Sequence, residues 1–301
     1  MAVKRIFVLG SLNMDLVIST PYIPSAGETM YGSGFMTNPG GKGANQAVAC
    51  AKLGGRVLMC GCVGKDLFGN TLLKGLSDSG VATEHIQQVD KSPTGVAMIT
   101  VCEQDNRIIL DPGANYSITK ERIDSFLSCA QKQDLLLVQL EIPLEMVEYG
   151  LKRAKEIGME TLLNPAPAND KAQKLYRYVD IIIPNETELE MLTGAQILED
   201  GILMLANQGI KAVIVTLGKK GYCYYQNGSM LYGKGIDVNA VDTTAAGDTF
   251  CGALAVKLAE NCRLSQALNY ANCAAALAVT KSGAQASIPT KIEVDAMVAE
   301  S

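Results

Sequence analysis

Apolar and polar positions change rhythm along the chain, and the changes mark out its elements. Residues 5–9 form a short apolar run ending in Gly10, the pattern of a buried strand. Residues 15–20 and 28–35 read as extended pieces bounded by Pro21, Pro24, Gly27 and Gly34. Residues 44–53 have the composition of a helix and are stopped by Gly54-Gly55. A strand over 57–63 and a helix over 67–76 follow. A second extended zone, 86–89, 95–102 and 107–110, partly alternates apolar with polar side chains, as half-covered strands do.

From residue 135 onward strands alternate with helices. Strands are predicted over 135–140, 160–163, 179–183 and 211–217, and helices over 144–158, from 186 and over 201–207. The end is helical, over 248–260, 264–280 and 291–299. Leu135-Leu136-Leu137-Val138 and Ile181-Ile182-Ile183 are apolar without a break. Strands of that kind are buried on both faces, which predicts an α/β fold with a mostly parallel sheet covered on both sides. The two early extended zones depart from this pattern and predict a small β lid, built from about 14–38 and 86–112. No Gly/Ser or Pro-rich linker separates the parts, so residues 1–301 read as one unit.

Composition removes several classes of function. With 26 Lys and Arg against 31 Asp and Glu and no basic run, no nucleic-acid or anionic-membrane surface is expected. Aromatic residues are 5% and Trp is absent, which leaves little for base stacking. His85 is the single histidine, which rules out a multi-His metal site; its polar surroundings predict a surface loop, so a Ser-His-Asp arrangement is not expected. Nine cysteines occur without any C-x-x-C, as expected of reduced thiols in a cytoplasmic protein. No run of eighteen apolar residues is present, and residues 6–9 are too short for a signal-peptide core.

Both familiar nucleotide motifs are missing. Gly41-Lys42 is followed by Gly43 rather than Ser or Thr, and Gly10 by Ser11-Leu12-Asn13. The most informative segment is Asp242-Thr243-Thr244-Ala245-Ala246-Gly247-Asp248. Ala245, Ala246 and Gly247 open a long helix, where free N–H groups and the positive end of the dipole bind an anion. Asp248 in that first turn would repel a phosphate unless it had a task, and accepting a proton from an attacking hydroxyl is such a task. The alternative is an Asp that only complements the helix dipole.

Other polar residues gather at predicted strand ends. Gly40-Gly41-Lys42-Gly43 permits tight backbone curvature against a ligand, with Lys42 and Asn45 as donors. Asn13 and Asp15, two apart on an extended chain, leave from one side and suit two vicinal hydroxyls. Glu141 lies at the carboxyl edge of the sheet, where open α/β sheets bind ligands. Asn185 and Glu188 follow the next strand and present an amide and a carboxylate suited to hydrated Mg²⁺. Each alone reads equally as a helix cap; their shared sheet edge favours a site.

Together these motifs resemble the ribokinase family of sugar kinases, from Gly10-Ser11-Leu12-Asn13-Met14-Asp15 to Gly283-Ala284-Gln285-Ala286-Ser287. The resemblance implies a three-layer α/β/α body with a β lid, transferring the ATP γ-phosphate to the 5-hydroxyl of D-ribose. It implies Asp248 as general base and the N–H groups of Ala245, Ala246 and Gly247 as anion hole. Asn13, Asp15, Gly41, Lys42, Gly43, Asn45 and Glu141 would bind the sugar, with Ala97, Ile99 and Leu110 as apolar lid contacts. Asn185, Thr216, Gly218, Gly221, Gly247 and Asn272 would bind the nucleotide. Asn185 and Glu188 would lie near Mg²⁺. A monovalent cation, K⁺, would sit among Asp242, Thr244, Ala278, Lys281, Gly283 and Ser287, largely on backbone oxygens. A homodimer through the lid is expected, because pairing covers exposed sheet edges. The alternatives are a kinase of the same family acting on 2-deoxyribose, fructose or a nucleoside, and a catalytically silent sugar sensor.

Overall fold

A computed structural model of the protein describes residues 4–102 and 105–300. Residues 1–3, 103–104 and 301, included in the expected single unit 1–301, lie outside the described residues.

The chain enters through β1 (Arg5–Leu9), then crosses to β2 (Asn13–Ser19) and β3 (Ser33–Gly40). Helix α1 (Lys42–Lys52) leads to β4 (Arg56–Gly64), and α2 (Leu67–Asp78) to β5 (Ala82–Val89). A hairpin follows, β6 (Gly95–Cys102) and β7 (Asp105–Asp111). Helix α3 (Lys120–Leu127), β8 (Leu135–Val138), α4 (Leu144–Ile157), β9 (Glu160–Leu163) and β10 (Ile181–Ile182) come next. Helices α5 (Glu186–Thr193) and α6 (Leu198–Ala206) precede β11 (Ala212–Thr216), β12 (Gly221–Gln226) and β13 (Ser229–Lys234). The chain closes with α7 (Ala246–Ala259), α8 (Leu264–Ala278), α9 (Ala284–Ser287) and α10 (Lys291–Glu300).

Two sheets result. The larger has nine strands in the order β13-β12-β11-β10-β9-β8-β1-β4-β5, parallel except for β12 and β13. The smaller has four, β3-β2-β6-β7. Successive strand residues point to opposite faces, and the apolar runs therefore feed two separate cores. Ile6 and Val8 pack with α1, α7 and α8; Phe7 and Leu9 pack with α3 and α4. This is the expected three-layer α/β/α body with a small lid sheet. Among the described residues no helix is long and apolar enough to cross a membrane.

Three expectations change. Residues 86–89, expected in the lid, belong to β5 at the edge of the large sheet, in parallel register with β4. Residues 82–89 carry only scattered apolar positions, Ile86 and Val89 among polar ones, so the sequence pattern does not separate this edge strand from a lid strand. The extended piece expected over 28–35 lies later, as β3. His85 lies on β5 rather than in a loop, its ring edge-on to Phe126 at 5.4 Å.

The order of the large sheet reverses at β1, whose neighbours are β4 and β8. Ligands of open α/β sheets bind at such a reversal, beyond the carboxyl ends of the strands. Here the two strand ends are tied together: Ser11 Oγ, after β1, donates to Glu141 Oε2, after β8, at 2.5 Å. Helix α1 starts directly against this junction. A Cβ on Gly41, at φ +87°, would meet Asn13 N at 2.6 Å, and one on Gly43 would meet Ser11 N at 2.5 Å. These glycines admit the protein's own backbone, a close approach the sequence did not reveal, and Gly41 also lies on the wall of a cavity.

A prediction follows for Gly43. Helix propensity alone would favour Ala there, whereas the steric clash dominates. Gly43→Ala should lower the free energy of unfolding by about 1–3 kcal/mol in urea titration; an unchanged or raised midpoint would contradict the packing described.

Candidate functional site

Two adjoining cavities open at the strand ends. One, of about 550 Å³, is lined by Asn13, Asp15, Gly41, Lys42, Asn45 and Glu141 from the body and by Ala97, Ile99 and Leu110 from the lid. The other, of about 220 Å³, is lined by Asn185, Thr216, Ala245, Ala246 and Gly247. Lys42, Glu188, Thr243, Ala245 and Asp248 line both, so they form the wall where the two meet.

Asp248 owes its place to helix packing. Helix α7 runs close against α1 because Gly252 has no side chain; a Cβ there would meet the Ala49 Cβ at 2.5 Å. One turn earlier, the buried Asp248 carboxylate meets two amides of α1. Asn45 Nδ2 donates to Oδ2 and Gln46 Nε2 to Oδ1, each at 2.9 Å. Each oxygen keeps a lone pair beyond these bonds.

The helix start beside it is strained. Ala245 caps α7 at φ 60°, a left-handed conformation that costs a non-glycine residue roughly 1–2 kcal/mol. The Ala246 N–H is not free, as the sequence suggested, but donates to the Thr243 carbonyl at 3.2 Å. The tight turn at Ala245 causes this bond. A Cβ on Gly247 would have no atom within 4 Å, so this backbone is open to an approaching group.

The larger cavity is densely charged. Asn13 is held by Asn115, whose Nδ2 donates to Asn13 Oδ1 at 2.7 Å. Burial, then repulsion from Glu141 and Asp248, pushes the Asp15 carboxyl up to about 7, against an opposing pull from Lys42. Burial alone would lower Lys42, but Asp248, Glu141 and Glu188 outweigh it and hold its pKa above the ordinary value. Asn45 Oδ1 is buried and accepts no hydrogen bond among the described residues.

The remaining predicted residues separate into groups. Asn185 and Glu188 form a capping box on α5: Asn185 Oδ1 accepts from Glu188 N at 2.8 Å, and Asn185 N donates to Glu188 Oε2 at 2.9 Å. Glu188 is half-buried and its pKa is raised, chiefly by burial. Gly218, Gly221 and Asn272 do not line either cavity; the glycines flank the turn between β11 and β12, and Asn272 Nδ2 donates to the Lys234 carbonyl at 2.9 Å. Asp242 ties two loops together, accepting from Thr244 N at 2.9 Å, Thr244 Oγ1 at 2.6 Å and Gly283 N at 2.9 Å. Lys281 Nζ turns away to Glu293 at 2.6 Å, and Ser287 Oγ donates to the Ala284 carbonyl at 2.9 Å. The Ala278 carbonyl accepts from Lys281 N at 3.2 Å.

The sequence profile of the pfkB carbohydrate kinases matches residues 3–291. The chain belongs to this family. It is an ATP-dependent sugar kinase. It is 42% identical to the ribokinase of Haemophilus influenzae over 296 residues, covering 96% of this chain and 97% of that one. The deoxyribokinase of Salmonella typhi is 37% identical over 292 residues, covering 95% of each. Among solved structures, Arabidopsis thaliana ribokinase complexed with ribose and ATP superposes with a TM-score of 0.90 at 31% identity, covering 99% of both chains.

Sequence reading missed the residues that hold the family's site in shape. Ser11, Gln46, Asn115, Gln139 and Asn164 contact the predicted residues or one another without being singled out. The one available signal was Gln46, directly after Asn45; adjacent helix positions diverge by about 100°, so no pattern places both on one carboxylate.

Asp15 generates a pH test. Its ionised form accepts hydroxyl hydrogens, so kcat/KM for the sugar should fall about tenfold per unit below pH 7. Asp15→Asn should flatten this limb and raise the sugar KM roughly 10- to 100-fold. A limb that persists in the variant would assign the titration elsewhere.

Proposed function

We propose that the chain is a ribokinase, transferring the γ-phosphoryl group of ATP to the 5-hydroxyl of D-ribose. The observation that carries this reading is the Asp248 carboxylate on the wall shared by the two cavities, in the first turn of α7. The larger cavity, with Asn13, Asp15, Asn45 and Glu141, takes the sugar; the smaller, with Ala245, Ala246 and Gly247, takes the phosphates.

In this mechanism Asp248 accepts the proton of the attacking hydroxyl, and Asn45 and Gln46 keep it oriented. Lys42, protonated beside both cavities, balances charge as the phosphoryl group moves. The N–H groups of Ala245 and Gly247 face the transferred phosphate, while Ala246 contributes through its place in the turn. Asn185 and Thr216, joined by an isolated bridge, sit on the nucleotide side. Gly218, Gly221 and Asn272 would act farther along the nucleotide.

Mg²⁺ would be held near Asn185 and Glu188; the free oxygen of Glu188, a single half-buried carboxylate, fits an ion that keeps most of its water. When bound, the ion neutralises charge between the phosphates. Asp242, Thr244, Ala278, Lys281, Gly283 and Ser287 would hold K⁺ through backbone oxygens. Three donors already engage Asp242, and its pKa is lowered because they outweigh burial, so the carboxylate stays charged beside a cation. The lid's outer face exposes Phe35, Met98 and Ile109, which supports a homodimer through the lid. Nine cysteines, none in a disulfide among the described residues, suit a cytoplasmic location.

A second reading, 2-deoxyribose as the preferred sugar, has the deoxyribokinase similarity in its favour. The buried Asp15 carboxyl argues for ribose, since a site built to bind a hydroxyl rejects an analogue lacking it. An ADP-release assay over ribose, 2-deoxyribose, fructose and a nucleoside, with and without K⁺, decides between them. Ribose should lead 2-deoxyribose by at least about tenfold in kcat/KM, and Asp248→Asn should lose about 10²- to 10⁴-fold in kcat. Equal turnover of 2-deoxyribose, or an unimpaired variant, would overturn the reading.

A further inference from the structure

We infer that Gln46 is a positioning residue for phosphoryl transfer, the head of a buried relay of side-chain amides that fixes which way the Asp248 carboxylate faces. The inference rests on reading Asp248 as the base.

The direction of the relay is set at the Ile183 main-chain carbonyl, which can only accept. Asn164 therefore turns its Nδ2 to Ile183 O at 2.9 Å and presents Oδ1 on its other side. Gln46 Nε2 donates to that Oδ1 at 3.1 Å and to Asp248 Oδ1 at 2.9 Å, which uses both of its hydrogens. Its Oε1 is left to accept from Gln139 Nε2 at 2.6 Å. Gln139 Oε1 ends the chain with no donor, although it is buried. Such an orphan is what a relay oriented from its far end leaves behind: reversing Gln46 would set oxygen against oxygen at both Asn164 and Asp248.

Gln46 and Gln139 are fully buried, and neither lines the two cavities. Asn45, which holds the other carboxylate oxygen, also lines the sugar cavity and shares its amide with substrate. Gln46 thus touches neither cavity itself and reaches the site through Asp248 and through Asn164, which lines the smaller cavity and is anchored independently at Ile183. Its neutral amide also keeps a second negative charge away from the base.

The test compares Gln46→Glu, Gln46→Met and Gln139→Met with Asp248→Asn, reading kcat, KM and the pH profile of kcat. Gln46→Glu sets two carboxylates in contact, so the acid limb of kcat should move up by about one pH unit or more. Gln46→Met should lower kcat roughly 10- to 100-fold while both KM values stay within about threefold. Gln139→Met should cost less, and the double variant should be no slower than Gln46→Met alone, because the relay is already cut. A merely structural role would lower thermal stability without moving the limb and would give additive losses. If Gln46→Glu fails to fold, Gln46→Met and the double-variant comparison carry the test. An unmoved limb in folded Gln46→Glu, or kcat of Gln46→Met within twofold of the parent, overturns the proposal. Activity retained by Asp248→Asn would instead remove the base, whereas an inactive Asp248→Asn beside unimpaired Gln46 variants would remove the relay alone.

Discussion

The site depends on a contact between residues about two hundred positions apart: the Asp248 carboxylate clasped by the amides of Asn45 and Gln46. Each partner is brought there by a missing side chain. Gly43 lets α1 settle on the loop after β1, and Gly252 lets α7 settle on α1. A methyl group at either place would separate helices whose packed surfaces are measured in tenths of an ångström. The geometry around Asp248 is thus a property of helix packing before it is one of side-chain chemistry.

Electrostatics follow from that packing. Asp15, Glu141, Glu188 and Asp248 converge on Lys42, and the imbalance falls on Asp15, which burial and its neighbours leave easily protonated. Four carboxylates around one ammonium form a surplus of negative charge at a place proposed to receive phosphate. The arrangement is consistent only if each carboxylate has hydroxyls, a cation or a proton to attend to. The helix start at Ala245–Gly247, with its strained cap, supplies the compensating positive potential.

Much of this was legible in the sequence, for definite reasons. Unbroken apolar runs at 135–138 and 181–183 announced a parallel sheet, because only strands covered on both faces can be apolar throughout. Asn13, Asp15, Glu141 and Asp248 were visible as polar residues at strand ends and a helix start. Residues 86–89 were not separable from the lid, since a short polar-rich edge strand reads like one more extended piece ahead of 95–102. The packing demand on the early glycines was not legible, because a glycine admitting backbone and one admitting ligand look identical until the neighbours are known. The bonds among Gln46, Gln139 and Asn164 were not legible, because a relay joining α1 to the ends of β8 and β9 exists only in three dimensions.

The central claim is that Asp248 stands between a sugar hydroxyl and a phosphate held at the start of α7. A crystal structure of the complex with D-ribose and a non-hydrolysable ATP analogue measures this directly. The 5-hydroxyl oxygen should lie about 2.6–3.2 Å from the Asp248 carboxylate, with the terminal phosphate on the Gly247 N–H. A hydroxyl beyond hydrogen-bond reach of Asp248, or a terminal phosphate seated away from Gly247, would contradict the account.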